Sequence, residues 1–129
     1  MKKLFAVLAL ALTVLLPGLA SATEYVPFDQ AAFDQAKAQN KPIIVFVHAP
    51  WCPVCKAQMK TMDAVTAAPA YKDLVVFRID FDTQPNLWKP FGATQQSTLI
   101  AYHGATETGR IAHDSDPAKV TDILQKTLG

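Results

Sequence analysis

Cysteine is scarce in this sequence: Cys52 and Cys55 are the only two among 129 residues, so no disulfide framework holds the chain together. A bridge between such close neighbours would close too small a loop to remove much entropy from the unfolded chain. A redox or metal-binding use of the pair is favoured over a structural staple. Charge of one sign is never concentrated either. The 12 Lys and Arg are scattered among 11 Asp and Glu, which leaves no basic stripe for a polyanion and argues against a nucleic-acid partner. After Thr23 there is no internal repeat, no low-complexity tract and no linker. The one long apolar run, Leu4 to Leu16, falls short of the roughly 20 residues that a membrane-spanning helix needs.

That run is flanked by Lys2 and Lys3 before it and by Ala20-Ser21-Ala22 after it, the pattern of a secretory signal peptide over residues 1–22. Pro17-Gly18 breaks the helix ahead of a cut after Ala22. No cysteine lies in or just after the segment, so a lipoprotein anchor has no attachment point. Export to the periplasm is expected, where disulfides persist. Removing Lys2 and Lys3 takes the formal net charge from +1 to −1. Residues 23–129 suit one domain with one core, and a monomer is expected.

Phe28-Asp29 reads as a hydrophobic staple and N-cap, with Ala32, Phe33 and Ala36 at helical spacing over about residues 30 to 39. Ile43 to Val47 is continuously apolar and mostly β-branched, as a central strand buried on both faces requires. Pro53 suits the first turn of a helix that Cys52 would cap, with Met59, Met62 and Val65 on its buried side. A second buried strand is expected at Leu74 to Phe81 and a short helix at Pro85 to Phe91, with Trp88 and Phe91 in the core. Thr98 to Tyr102, a turn from His103 to Gly109, a short strand at Arg110 to Ala112 and a helix from Pro117 to Leu128 complete the chain. Asp116 caps that last helix, whose core face is Val120, Ile123 and Leu124.

The run Trp51-Cys52-Pro53-Val54-Cys55 carries the chemistry. Disulfide exchange needs a thiolate, and unpaired N–H groups with the positive end of the dipole stabilise that anion at a helix N-terminus. Cys52 is therefore the expected attacking nucleophile, the more exposed and acidic thiol. Cys55, one turn along, is the resolving thiol. Structural zinc usually takes four protein ligands and there is no second cysteine pair; haem attachment needs a histidine after the second cysteine, where this chain has Lys56.

Lys41-Pro42, Ala49, Trp51 and Lys56 around the cysteines resemble the active-site block of the thioredoxin superfamily. Leu74, Val76, Asp80, Asp82, Pro85, Phe91 and Gly92 resemble its second core strand and following helix, and Thr98-Leu99 its substrate-facing loop. The resemblance covers nearly all of residues 23–129. It implies an α/β fold, a four- or five-stranded mixed sheet flanked by helices. It also implies a thiol–disulfide oxidoreductase that needs no cofactor. Trp51 would flank the nucleophile, and the backbone at Ser97 and Thr98 would pair with an extended substrate segment. Three positions depart from the family. Ser97 stands in place of a cis-proline, Phe46 in place of a buried acid whose basic neighbour aligns with Arg78, and His113-Asp114 near a usual glycine.

The functional expectation is an exported reductase of protein disulfides, fed by a membrane electron donor. The competing reading is a carrier of Cu(I) or another soft metal on the same two thiolates, motivated by Ser97 because the family's proline keeps metals off the cysteines. His48, four residues before Cys52, reads as a partly buried histidine satisfied by backbone, with thiolate stabilisation as its competing role. His103 and His113 read as solvated, and Met59 and Met62 as core filler. Ser97→Pro is expected to alter exchange chemistry more than the fold.

Overall fold

The apolar run at 42–48 becomes the middle of a sheet. The computed structural model describes residues 23–129. Its elements are β1 (Tyr25–Pro27), α1 (Gln30–Ala38), β2 (Pro42–His48), α2 (Pro53–Thr66), β3 (Val75–Asp80), α3 (Pro85–Trp88), β4 (Thr98–His103), β5 (Thr106–Ala112) and α4 (Pro117–Lys126), with 3-10 turns at Pro69–Tyr71 and Lys89–Phe91. The strand order is β1-β3-β2-β4-β5. β1, β3 and β2 run parallel, whereas β4 and β5 are antiparallel to their neighbours. This is the expected mixed sheet, with five strands.

Alternation along β2 sends its side chains into two cores. Ile44 and Phe46 join Val76, Leu99 and Ala101 beneath α2 and α4. Ile43 and Val45 join Phe77, Ile79 and Ile100 beneath α1. Asp29 caps α1 by accepting from the Ala32 N–H at 2.9 Å, and Phe28 lies 5.5 Å from Phe33, so staple and cap act together. Asp116 caps α4 through the Ala118 N–H at 2.8 Å. The inner stripe of α2 is Cys55, Gln58, Met62 and Thr66. Of the expected buried side, Met62 is on this stripe at 0% exposure, while Met59 and Val65 are half-buried beside it.

Three expectations about elements are corrected. β1 was not expected, because three residues are too few to show periodicity; it exists through its pairing with β3. β5 begins at Thr106, and the expected long turn shrinks to Gly104-Ala105, where Gly104 takes φ +56. The polar run Thr106-Glu107-Thr108-Gly109 is an edge strand with a bulge opposite Ala101 and Tyr102. Gly109 lets α4 close over it, since a Cβ there would meet the Lys126 and Ile123 side chains at 3.0 and 3.2 Å. Trp88 and Phe91 are half-buried rather than core, Trp88 lying stacked on Phe81 at 5.0 Å and donating to its carbonyl.

Candidate active site

The chain leaves β2 at His48 and turns through Ala49-Pro50-Trp51, with the Cys52 N–H donating to the Ala49 carbonyl at 3.1 Å. Cys52 holds extended backbone as the N-cap of α2, and Pro53 fills the first helical turn. The Cys52 sulfur accepts the Cys55 N–H at 3.1 Å. It therefore takes the place of a capping oxygen, where the helix dipole favours a thiolate. Both cysteines are free thiols.

Cys52 was expected to be the more exposed thiol; both cysteines are buried, with 3% of the Cys52 surface accessible against 0% for Cys55. Capping turns the sulfur back over its own helix. Cys55 differs in kind. Burial pushes its thiol up to about 12, and hydrogen bonding with Cys52 adds to the rise, while backbone hydrogen bonding from Ala49 and Ser97 opposes it. The buried sulfur thus keeps its proton.

Trp51 is 57% exposed beside the cysteines, its indole N–H donating to Asp82 at 2.7 Å. Ser97 is fully buried and adopts φ +58, and no cis peptide bond occurs among the described residues. Its N–H donates to the Val47 carbonyl at 2.7 Å. Its carbonyl accepts from the His113 N–H at 3.1 Å and the Gln58 amide at 3.0 Å. Thr98 is buried and registers between Val47 of β2 and Ala112 of β5. The Ser97 N–H and carbonyl, expected to pair with a substrate segment, thus have partners within the protein, and Thr98 lies inside the sheet between β2 and β5. Gln95 and Gln96, half-buried just before them, are the loop residues next to solvent.

Phe46 is wholly buried on the face that α2 covers, registered opposite Arg78, whose side chain is exposed. The His48 ring meets Phe46 edge-on at 5.3 Å. Burial and then the Arg78 charge lower the His48 pKa, which favours the neutral ring over the protonated thiolate stabiliser. His103 is held by the Thr127 carbonyl at 2.9 Å, and His113 Nδ1 lies 3.2 Å from Ser97 Oγ. No group of three His, Cys, Asp or Glu among the described residues is arranged to hold a metal ion.

Gln58 went unnoticed in the sequence because glutamine on a helix reads as surface. Its signal was its spacing, three after Cys55 and four before Met62, which puts it on the inner stripe.

A family model described as thioredoxin matches residues 24–126. The chain is similar to the crystal structure of Trxlp from Edwardsiella tarda, at 42% identity over 78% of this chain and 98% of that one, with a TM-score of 0.73. It is 27% identical to a thioredoxin from Alicyclobacillus acidocaldarius over 74% of this chain and 93% of that protein. It is 29% identical over 64% of its length to a bifunctional thioredoxin reductase/thioredoxin from Mycobacterium leprae, of which the match spans 18%. With the family model running from the first described strand into the last helix, the chain belongs to the thioredoxin family of thiol–disulfide oxidoreductases.

Proposed function

We propose that this protein is an exported reductase of disulfides in other exported proteins, acting through Cys52 as nucleophile and Cys55 as resolving thiol. The observation that carries the reading is the asymmetry of the pair, one sulfur capping α2 and the other wholly buried with its thiol held up to about 12. Cys52 attacks a substrate disulfide, a mixed disulfide forms, and the first substrate sulfur leaves and takes a proton. Cys55 then attacks Cys52, which closes the Cys52–Cys55 bond and releases the second substrate thiol. The two electrons reach the substrate and come back to the pair from a membrane electron donor.

Trp51 offers an exposed apolar wall pinned by Asp82, and an extended substrate segment lies along the loop that leads into Ser97 and Thr98, where Gln95 and Gln96 are half-buried. The reductase direction is supported by likeness to the small thioredoxins: the described residues carry five strands and short helices, with no inserted helical domain among them. Export rests on Lys2, Lys3, the apolar run and Ala20-Ser21-Ala22, which lie outside the described residues. No described helix is long and apolar enough to cross a membrane.

Insulin-type disulfide reduction with a small dithiol as electron source tests the activity, which is expected in the wild type and lost in Cys52→Ala. Cys55→Ala, produced in intact cells, is expected to hold exported partners as mixed disulfides on Cys52. Turnover that survives Cys52→Ala would refute the roles. A product found in the cytoplasm with residue 1 intact would refute export alone.

A further inference from the structure

Gln58 is wholly buried and yet incompletely satisfied. It sits on the inner stripe of α2, one turn after Cys55, with 0% exposure. Its amide nitrogen donates to the Ser97 carbonyl at 3.0 Å and the Asp114 carbonyl at 2.9 Å, while its Oε1 is buried without a partner among the described residues. Two carbonyl acceptors settle which end of the amide is nitrogen. An orphaned buried acceptor is costly, and a methionine would fill the same space without one. The carboxamide is explained by what its N–H groups hold.

What they hold is strained backbone. Ser97 and His113 take φ +58 and +53, a region that residues with a Cβ occupy when their surroundings impose it. The two are tied to each other, the His113 N–H donating to the Ser97 carbonyl at 3.1 Å and Ser97 Oγ lying 3.2 Å from His113 Nδ1. The serine hydroxyl donates to the Gln96 carbonyl at 2.5 Å, so the hydrogen in the imidazole contact belongs to Nδ1. No proline ring stiffens this loop, which the Gln58 amide ties at the Ser97 carbonyl to the inner stripe of α2, one turn beyond Cys55.

We propose that Gln58 is a positioning residue for the exchange reaction: its carboxamide pins the segments at Ser97 and His113-Asp114 to the inner stripe of α2 one turn beyond Cys55 and so fixes the Ser97 loop on the Cys55 helix while Cys55 resolves the mixed disulfide. The proposal rests on the roles given above to the two cysteines. In that step the Cys55 sulfur gives up its proton and attacks Cys52. The Cys52–Cys55 bond forms, the bond to substrate breaks, and the substrate sulfur leaves with the electron pair and takes up a proton. Burial opposes loss of the Cys55 proton, and backbone hydrogen bonding from Ala49 and Ser97 favours it. A Ser97 loop free to swing away removes part of that help.

Quenched-flow mixing of the reduced full chain with a disulfide-bonded peptide, followed by mass spectrometry, separates attack by Cys52 from resolution by Cys55. Gln58→Met is expected to leave attack within about twofold and to slow resolution by about tenfold or more, the scale of slightly misplaced reacting atoms. The mixed disulfide then accumulates. Gln58→Asn, one methylene shorter and able to reach one carbonyl, should fall between, and decides the matter if the methionine variant fails to fold. A purely structural role moves the thermal midpoint and slows both steps alike or neither, and either pattern overturns the proposal. Failure of Cys55→Ala to accumulate a mixed disulfide on Cys52 is a separate result: it removes the cysteine roles themselves.

Discussion

Ser97→Pro is the sharpest perturbation available, and the structure reverses the expected balance between its chemical and its structural effect. Proline fixes φ near −65° and has no N–H, whereas Ser97 holds φ +58 and donates to the Val47 carbonyl at 2.7 Å in a fully buried place. Leaving that carbonyl unpaired costs about 1–3 kcal/mol. Forcing φ out of the left-handed region adds a comparable amount and disturbs the contacts to Gln58 and His113. A loss of about 3–5 kcal/mol is expected, a large share of the stability of a domain this size. Ser97→Gly is the control: it removes the Cβ that opposes φ +58 but also the hydroxyl contacts, and should stay within about 1 kcal/mol of wild type. Urea unfolding of the oxidised proteins, with slopes compared to check for two-state behaviour, measures both. A proline variant within about 1 kcal/mol of wild type, or a glycine variant as damaged as the proline one, would sink the argument.

Iodoacetamide at neutral pH should mark Cys52 and spare Cys55, because Cys55 is wholly buried and keeps its proton up to about 12; modification of Cys55 first would reverse the assigned roles. The same raised value gives a sign for stability. Between the ordinary thiol value of 9.0 and about 12, folded Cys55 holds a proton that the unfolded chain has lost. The reduced protein is then stabilised below that window and loses up to about 1.4 kcal/mol per pH unit as pH rises through it. Cys55→Ala should lack this extra slope, and identical slopes in the two proteins would remove the reasoning. On the opposite face, Phe33 is buried with Phe28, Phe77, Phe91 and Tyr102 rings at 5.3 to 5.8 Å. Phe33→Ala is expected to cost about 3–5 kcal/mol, and to leave the exchange rate of the folded fraction unchanged; a lowered rate at full folding would connect the two cores.

Local rules carried the cysteine motif, the caps and the central strand. Asp29 and Asp116 cap because each carboxylate reaches an N–H in the first turn of the helix it precedes, and Ile43 to Val47 is buried because an unbroken apolar run has no polar face. Cys52 at the start of α2 was legible for the same reason, since Pro53 marks the first turn. These are interactions among residues a few positions apart, and their partners are written beside them.

Tertiary structure decided whatever depends on partners far along the chain. β1 is a strand because β3 accepts it, and Thr106 to Gly109 is a strand because β4 does, though its composition is that of a turn. Ser97 could be seen to depart from the family, but its left-handed backbone, its engaged N–H and carbonyl, and its link to His113 come from β2, α2 and the segment after β5. Gln58 looks like surface until two carbonyls from distant loops close over it. The depth of Cys55, and with it the direction of its pKa, follows from the same closure, because desolvation is a property of everything packed around a sulfur and of no single neighbour in sequence.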